Sequence, residues 1–286
     1  MPLPLVSILI PAYNRPDTIK TAIESALIQT YSCIEIIICD DSSDSRVEEM
    51  MSSCFSGADN IRYYKNEKNL FLKNWHKLLD MASGEYINYL MDDDVFDKNK
   101  IEKMMYYFQE FRDIKLVTSY RQTIDEKGNW LSPLYATERL FHETRVMEGK
   151  ILADMALSRC LNIIGEPTTV LFKKEDLKEP FGVFADQQYS LLNDMAAWLN
   201  LLSDGRAVYI PEPLSFFRLH ANQNNNVLGP AAFSEWLDLL VAARKKGFLS
   251  LDGLYKQGLL NYRFRVAGIE RYTTDISRID QIIKDL

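Results

Sequence analysis

The sequence predicts an α/β fold in which a mostly parallel sheet is flanked by helices and followed by a C-terminal helical appendage. Short apolar segments alternate with segments of helical period through the first half of the chain. Several of these apolar segments end abruptly in polar residues, as parallel strands do where ligands bind. The chain has 286 residues, of which 47% are hydrophobic and 26% charged. A chain of this length and composition can bury a substantial core.

The first half of the chain has the pattern of successive βαβ units. The predicted strands are Leu5–Tyr13, Ile34–Cys39, Ile61–Lys65, a strand from Tyr86, and Lys115–Tyr120. The predicted helices are Asp17–Gln29, Val47–Cys54, Phe71–Ala82 and Asn99–Phe111. This alternation predicts helices on both faces of the sheet.

Beyond residue 121 the alternation is weaker. Residues 122–143 are polar and aromatic, and we expect them to form a loop over the site. Helices are predicted at Glu148–Arg159 and Asn193–Leu202, and helical period returns over Phe233–Leu286.

The predicted strand from Tyr86 ends in three adjacent carboxylates, Asp92, Asp93 and Asp94. Like charges repel one another and burial adds a desolvation cost, so a cation or hydrogen-bond donors must neutralise the cluster. Hard oxygen ligands favour Mg²⁺ or Mn²⁺. The alternative is a solvated turn that caps the helix starting near Asp97.

Polar residues follow two other predicted strands in the same way, at Tyr13–Arg15 and Asp40–Ser43. Because parallel strands end at one edge of a sheet, we expect these segments to lie beside Asp92–Asp94. Ordinary turn chemistry is the alternative for each segment taken alone. Three such segments in register predict a binding site.

Composition excludes some classes of partner. The net charge of -7 argues against a protein that binds duplex nucleic acid. No apolar run approaches the roughly 20 residues that span a bilayer, and the N-terminus lacks a signal-peptide pattern. The four cysteines form no CxxC pair. These features predict a cytoplasmic protein.

Several segments, in this order, resemble landmarks of the family-two glycosyltransferases of GT-A fold, which move a sugar from a nucleotide diphosphate donor. The segments are Val6–Asn14, Ser25–Tyr31, Glu35–Ser43, Gly84–Asp94, and Tyr209–Leu214 followed by Phe217–His220. The resemblance implies a Rossmann-like GT-A domain with residues 1–121 as its nucleotide-sugar-binding half. Residues 122–230 would be the acceptor-binding half of the same domain, and residues 231–286 a helical extension.

The resemblance also implies a nucleotide site. Pro11, Ala12 and Tyr13 would form the rim on which the base lies, with Tyr13 stacking on it. Asp41 would accept from a base N–H, which suits uracil or thymine, and Asp92 would hold the ribose.

Two cationic residues join this implied site. Arg15 belongs to the first polar strand end, and Lys73 would approach the diphosphate. A solvated helix position is the alternative for Lys73.

The resemblance further implies that Asp93 and His220 bind a divalent cation, Mn²⁺ or Mg²⁺. Asp94 would support Asp93, and Arg218 would contact the phosphates or pack by its stem. A structural histidine is the alternative for His220. Met91 stands where many relatives carry a carboxylate, so the register of the triplet is open.

The helix Asn193–Leu202 resembles the family's Glu-Asp…Trp-Leu helix, in which the Asp is the general base. Asp194 matches that base, and Asn193 replaces the Glu. An inverting transfer needs one carboxylate to take the proton of the acceptor hydroxyl. The alternative is a carboxylate placed to suit the helix dipole.

The implied partners are a nucleotide-sugar donor and a glycan or lipid-linked glycan acceptor. Basic and aromatic residues in the C-terminal helices suit contact with the inner face of the cytoplasmic membrane, or packing on the core or another subunit. A noncatalytic nucleotide-sugar-binding partner is the alternative function. A nucleotidyltransferase should begin with a glycine-rich phosphate loop, and Pro11–Asn14 is not one.

Overall fold

The computed structural model describes residues 2–221, 223, 231 and 233–286. The expected end of the acceptor half at residue 230 lies outside the described residues.

The described residues form strands at the following positions: β1 (Val6–Ala12), β2 (Ile34–Asp40), β3 (Ile61–Lys65), β4 (Tyr86–Tyr89), β5 (Val95–Phe96), β6 (Ile114–Ile124), β7 (Arg145–Glu148), β8 (Leu171–Lys173), β9 (Val183–Phe184), β10 (Gln187–Gln188) and β11 (Arg206–Arg218). The α-helices among them are α1 (Pro16–Leu27), α2 (Arg46–Cys54), α3 (Leu72–Met81), α4 (Lys100–Glu110), α5 (Gly149–Arg159), α6 (Asn193–Leu202), α7 (Trp236–Lys245), α8 (Asp252–Val266) and α9 (Thr273–Asp285). The predicted α/β fold is confirmed.

One large sheet runs through the molecule in the order β3-β2-β1-β4-β8-β6-β11-β5. Strands β3, β2, β1 and β4 pair in parallel, as do β6 and β11. Strand β8 lies antiparallel between β4 and β6, and β5 and β7 pair antiparallel with different parts of β11. The central strands are buried and apolar, as expected for a sheet covered on both faces.

Two apolar clusters cover the two faces of the sheet. On one face Ile8 and Ile38 pack with residues of α1, α2 and α4. On the other face Leu9 and Ile37 pack with residues of α3, α5 and α6. Because successive strand residues point to opposite faces, β1 and β2 contribute to both clusters.

The predicted boundaries differ from the observed ones mainly at two strands. Strand β4 ends at Tyr89, so Leu90 and Met91 separate it from the acidic triplet. Strand β6 continues to Ile124, so the predicted loop from residue 122 begins later than expected. The end of β6 is polar but buried, because β11 supplies a pairing partner up to Ile124.

The three C-terminal helices extend the cluster formed by α5 and α6. Leu240 of α7, Leu259 of α8 and Ile279 of α9 are fully buried there. Gly258 of α8 approaches the main chain of Leu157 so closely that an added Cβ would lie 2.9 Å from its carbonyl oxygen. Within the described ranges, none of the helices has both the length and the apolarity that a membrane crossing requires.

Candidate active site

The first polar strand end contacts the acidic triplet directly. The backbone N–H of Tyr13 donates to Asp92 Oδ2 at 2.8 Å. Arg15 Nη1 donates to Asp92 Oδ1 at 2.7 Å and to Asp93 Oδ2 at 3.0 Å. The guanidinium therefore supplies positive charge to two of the three carboxylates.

The second polar strand end, Asp40–Ser43, is hydrogen-bonded to the first, Tyr13–Arg15, and to the residue before it. The backbone N–H of Asp41 donates to the carbonyl of Ala12 at 2.9 Å. Asn14 receives the backbone N–H of Ser43 on Oδ1 at 2.9 Å, and its own N–H donates to Ser42 Oγ at 2.7 Å. The three segments lie at one edge of the sheet, as the strand order requires.

The two predicted metal ligands also meet. His220 Nε2 lies 2.8 Å from Asp93 Oδ2, and the two side chains are 11% and 10% exposed. His220 follows the end of β11, which runs parallel to β6 and reaches the same edge. The imidazole nitrogen and the carboxylate oxygen are thus within hydrogen-bond distance of each other, at the edge where the acidic triplet lies.

Asp94 is bound by two segments from later in the chain. The Thr168 hydroxyl donates to Asp94 Oδ2 at 2.6 Å, and the Arg218 backbone N–H donates to Oδ1 at 3.0 Å. Arg218 Nε also donates to the carbonyl of Asp93 at 2.7 Å. These bonds hold Asp94 behind Asp93, where the resemblance implies a supporting role.

Burial raises the pKa of two of the three carboxyl groups, Asp92 and Asp94. It raises the pKa of Asp92 to about 6, with Asp93 adding to the rise and Arg15 opposing it. Burial also raises the pKa of Asp94 well above its usual range, again with a contribution from Asp93. Both shifts are expected where like charges share a poorly hydrated site.

Asp40 and Asp41 have different surroundings. Asp40 is fully buried and accepts from the Tyr63 hydroxyl at 2.7 Å and from Lys65 Nζ at 3.0 Å. Asp41 accepts from Asn66 Nδ2 at 2.7 Å and from the Leu70 N–H at 3.1 Å. Asp40 therefore stabilises the end of β2. The loop that contains Asn66 and Leu70 sets the orientation of the Asp41 side chain.

The side chains expected at the nucleotide rim differ in exposure. Tyr13 is 47% exposed, whereas Ala12 is 2% exposed in β1. Pro11 is half-buried in the same strand. Lys73 is exposed on α3, and among the described residues its side chain makes no hydrogen bond or ion pair. The fold thus brings Tyr13 and Arg15 to the triplet but gives Lys73 no contact there.

Asp194 lies in the first turn of helix α6 and is half-buried. Asn162 Nδ2 donates to its Oδ2 at 2.7 Å. Loss of hydration raises the pKa of Asp194 to about 7; the charge of Glu166 adds to the rise, and a main-chain hydrogen bond, Asn162 and Arg121 oppose it. A carboxyl group with such a pKa can accept a proton near neutral pH and release it again.

Helix α6 is joined to the acidic triplet through the segment Gly165–Thr169. Trp198 Nε1 of α6 donates to the Gly165 carbonyl at 2.9 Å. Three residues later, the Thr168 hydroxyl binds Asp94. The expected base and the expected cation site therefore share one connecting segment.

The sequence alone assigns no role to the four residues that make this connection, Arg121, Asn162, Glu166 and Thr168. All four are polar residues within or beside apolar stretches, and Glu166 and Thr168 lie in Gly165–Phe172, a segment that resembles the start of the family's acceptor side. Asn162 is 32 residues from its partner Asp194 in the sequence, and Thr168 is 74 residues from its partner Asp94.

A divalent cation at the triplet would need ligands from water or substrate in addition to those of the protein. In the part of the chain that the structure describes, no group of three His, Cys, Asp or Glu side chains could hold a metal. Asp93 and His220 would supply two ligands. Mg²⁺ commonly takes one or two carboxylates and completes its shell with water and substrate phosphates.

A cleft of about 310 Å³ opens beside these residues. Its lining includes three arginines, Arg15, Arg46 and Arg218, together with His220 and two acidic residues, Asp17 and Glu126, so the arginines outnumber the carboxylates. Guanidinium groups bind phosphate oxygens with good geometry. The cleft is suited to an anionic ligand such as a diphosphate.

The model of glycosyl transferase family 2 matches residues 7–174. A relative described as the UDP-Glc:alpha-D-GlcNAc-diphosphoundecaprenol beta-1,3-glucosyltransferase WfaP of Escherichia coli is 30% identical over 230 residues, which are 76% of this chain and 78% of that protein. An uncharacterized glycosyltransferase of Rickettsia felis is 41% identical over 138 residues, 46% of this chain and 21% of that protein. An uncharacterized glycosyltransferase of Rickettsia typhi is 29% identical over 225 residues, which are 78% of this chain and 66% of that protein.

This chain thus spans about a fifth of the length of the Rickettsia felis relative and just under two thirds of that of the Rickettsia typhi relative. Among solved structures, that of Staphylococcus aureus TarS 1-349 in complex with UDP-GlcNAc superposes with a TM-score of 0.68 at 18% identity, over 94% of this chain and 74% of that one. The superposition shows a common GT-A fold.

Proposed function

The chain belongs to glycosyl transferase family 2, and from this premise we propose that it transfers a sugar from a UDP- or dTDP-sugar to a hydroxyl of a glycan or lipid-linked glycan, with inversion. The observation that carries the proposal is Asp194, a carboxyl group with a pKa of about 7 that is joined through Gly165–Thr169 to the triplet. It has the proton affinity that a general base needs.

The cationic cleft supports the choice of a nucleotide diphosphate donor. Arg15, Arg46 and Arg218 would neutralise the diphosphate, and the exposed ring of Tyr13 would stack on the base. Asp41 keeps acceptor capacity for a base N–H, because each carboxylate oxygen accepts more than one hydrogen bond. The relative from Escherichia coli is described as using UDP-Glc, and the TarS structure contains UDP-GlcNAc. Both similarities also favour a uridine nucleotide.

In the proposed reaction, the acceptor oxygen forms a bond to the anomeric carbon of the donor sugar. The bond from that carbon to the diphosphate oxygen breaks, and its electron pair leaves with the nucleoside diphosphate. Asp194 takes the proton of the acceptor hydroxyl. Because the attack and the departure occur in one displacement on opposite sides, the configuration inverts.

Asp93 and His220 would hold a divalent cation, Mn²⁺ or Mg²⁺. When bound, such a cation supplies positive charge against the growing charge of the departing diphosphate. Asp94 orients this pair through the main chain, since Arg218 bonds both Asp94 and the carbonyl of Asp93. Asp92 holds Arg15 at the edge of the cleft and would contact the ribose.

The acceptor would bind in the half formed by residues 122–230, next to Asp194. If the acceptor is lipid-linked, the C-terminal helices of residues 231–286 would bring the enzyme to the inner face of the cytoplasmic membrane. Their basic residues, such as Arg265 in the last turn of α8, suit anionic headgroups.

The alternative is a noncatalytic nucleotide-sugar-binding partner of another transferase. Three departures from the family pattern favour it: Met91 before the triplet, Asn193 before the expected base, and the absence of the family's glycine from Asn69–Asn74. Retention of Asp93, Asp194 and His220 argues for the enzyme instead.

Thermal stabilisation by UDP, dTDP, GDP and CDP, with and without Mn²⁺, tests the donor site without any knowledge of the acceptor. A ligand that binds only the folded state at 100 times its dissociation constant adds about 2.7 kcal/mol to the free energy of unfolding. We expect Mn²⁺-dependent stabilisation by UDP or dTDP. No response to any of the four would overturn the proposed donor site.

A further inference from the structure

Glu166 is held in a fixed position beside Asp194. Asn162 binds Asp194 through Nδ2 at 2.7 Å and accepts from the Gly165 N–H on Oδ1 at 2.9 Å. The indole of Trp198 binds the Gly165 carbonyl. Gly165 itself has φ +126, and an added Cβ would lie 2.6 Å from Cβ of Thr169. The main chain entering Glu166 therefore has little freedom.

Arg121 fixes the side chain of Glu166. Its Nε lies 2.6 Å from Glu166 Oε2, and the arginine side chain is 3% exposed. Its Nη2 donates to the carbonyls of Ala136 and Asn162, both at 2.9 Å. Nε and Oε2 are buried without a directed hydrogen bond, so the contact between them is an ion pair.

The other oxygen of Glu166 is available for binding. The Glu166 side chain is 24% exposed although Oε2 is buried. Among the described residues, none donates a hydrogen bond to Glu166 Oε1. Its charge is near enough to contribute to the raised pKa of Asp194. An oriented and partly exposed carboxylate thus lies beside the proposed base, and the reaction described above does not use it.

Asn193, which stands where the resemblance expects a glutamate, is engaged elsewhere. Its Oδ1 accepts from the backbone N–H of Asp194 at 2.7 Å at the start of α6. Helix α6 therefore offers one carboxylate, and the second one beside it comes from the Gly165–Thr169 segment.

We propose that Glu166 is an acceptor-binding residue whose solvent-facing oxygen accepts a hydrogen bond from the hydroxyl next to the one that Asp194 deprotonates. The inference rests on the proposed function. If Glu166 has this role, the acceptor must be a sugar with two free hydroxyls on neighbouring carbons. A hydroxyl bound to a carboxylate makes a stronger hydrogen bond than one bound to a neutral group, so the site discriminates against acceptors that lack the second hydroxyl.

The test compares the wild type with Glu166→Gln, and with Glu175→Gln as a control on an exposed glutamate whose side chain is 73% exposed. Acceptors are p-nitrophenyl pyranosides of glucose, galactose and N-acetylglucosamine, donors are UDP-glucose and UDP-GlcNAc, and release of UDP is measured. In Glu166→Gln we expect the acceptor KM to rise about 10- to 100-fold. The donor KM and the stabilisation by UDP should stay at the wild-type values.

Two further readouts separate binding from a structural role. The best acceptor is compared with its analogue deoxygenated next to the accepting hydroxyl, and this analogue should react equally well with wild type and Glu166→Gln. The pH midpoint of kcat should fall in Glu166→Gln, because Glu166 raises and Arg121 lowers the pKa of the Asp194 carboxyl that both face.

An unchanged acceptor KM in Glu166→Gln would overturn the inference, as would equal use of the acceptor and its deoxy analogue by the wild type. Absence of turnover with every glycoside, in a protein that UDP stabilises, would also overturn it, since these pyranosides offer neighbouring hydroxyls. Failure of the proposed function has a different signature, which is no response of the wild type to UDP or dTDP.

Discussion

The hydroxyl of Thr168 donates a 2.6 Å hydrogen bond to Oδ2 of Asp94, across 74 residues of sequence. Thr168 Oγ1 also accepts from the Met91 N–H at 3.1 Å, and the residue is 1% exposed. One buried hydroxyl therefore joins the acidic triplet to the segment that approaches Asp194. The relationship gives a structural reason for two parts of the proposed active site to act together.

Thr168→Val should lower the free energy of unfolding, because it leaves buried partners on Asp94 and Met91 without their hydrogen bonds. Each such group costs about 1–3 kcal/mol. Thr123→Val is the control, since Thr123 is fully buried and its hydroxyl donates to the Ser132 carbonyl at 3.0 Å. We expect both variants to lose stability in urea denaturation, but only Thr168→Val to lose Mn²⁺-dependent stabilisation by UDP. Equal nucleotide responses would contradict the coupling.

Asp194→Asn should reduce kcat by about 10²- to 10⁴-fold, because the amide cannot take a proton from the acceptor. Stabilisation by UDP with Mn²⁺ should stay near the wild-type value, since Asp194 does not line the cationic cleft. The matched control is Asp154→Asn, because Asp154 is also half-buried, with a pKa raised by burial. A wild-type kcat in Asp194→Asn would remove its assignment as the base.

Asp93→Ala should weaken both donor binding and transfer. It removes the carboxylate that lies beside His220 Nε2 and Arg15 Nη1. We expect the Mn²⁺-dependent part of the thermal shift with UDP to disappear, whereas Asp59→Ala on an exposed turn should keep it. A full Mn²⁺ response in Asp93→Ala would show that the cation binds elsewhere.

The pH dependence of transfer follows from the pKa of Asp194, which is raised to about 7. The base acts in its ionised form, so kcat should rise with pH and level off above the pKa. At one pH unit below the pKa about a tenth of the carboxyl groups are ionised, which predicts roughly a tenth of the plateau rate. Rates measured from pH 5 to 9 provide the test. A profile that is flat down to pH 5 would argue against this base.

Lys100 gives a prediction about stability. It is fully buried, its Nζ donates to the Thr169 carbonyl at 3.0 Å, and burial lowers its pKa well below the usual range. Between that lowered pKa and about 10.4, the unfolded chain binds a proton that the native chain does not. The contribution of Lys100 to the free energy of unfolding should therefore rise with pH in this window, by at most about 1.4 kcal/mol per unit.

Lys100→Met should remove this contribution, so that the free energy of unfolding rises less steeply with pH than in the wild type, or falls more steeply. Lys245→Met, at an exposed position of α7, is the control and should keep it. Urea denaturation at pH 7, 8 and 9 gives the slopes. The same slope in Lys100→Met and in the wild type would mean that Lys100 is charged in the native protein.

The sequence by itself determined the α/β class and nearly all the elements of the first half. Strand β3 and helix α6 have the predicted bounds, and the helices α1 to α4 differ from prediction by one or two residues at their ends. These features depend on local periodicity and on turn residues, which a single sequence contains. The meeting of Tyr13, Asp41 and Asp92 at one edge was also predictable, because parallel strands end together.

Only the tertiary structure decided which polar side chains bind one another. The insertion of β8 between β4 and β6, the burial of Arg121 beside Glu166 and the bond from Thr168 to Asp94 join segments that are far apart in sequence. No periodic pattern encodes such contacts, because they depend on how the chain returns to the sheet. A buried charge or hydroxyl is stable only with a partner, and the folded chain alone shows which partner it has.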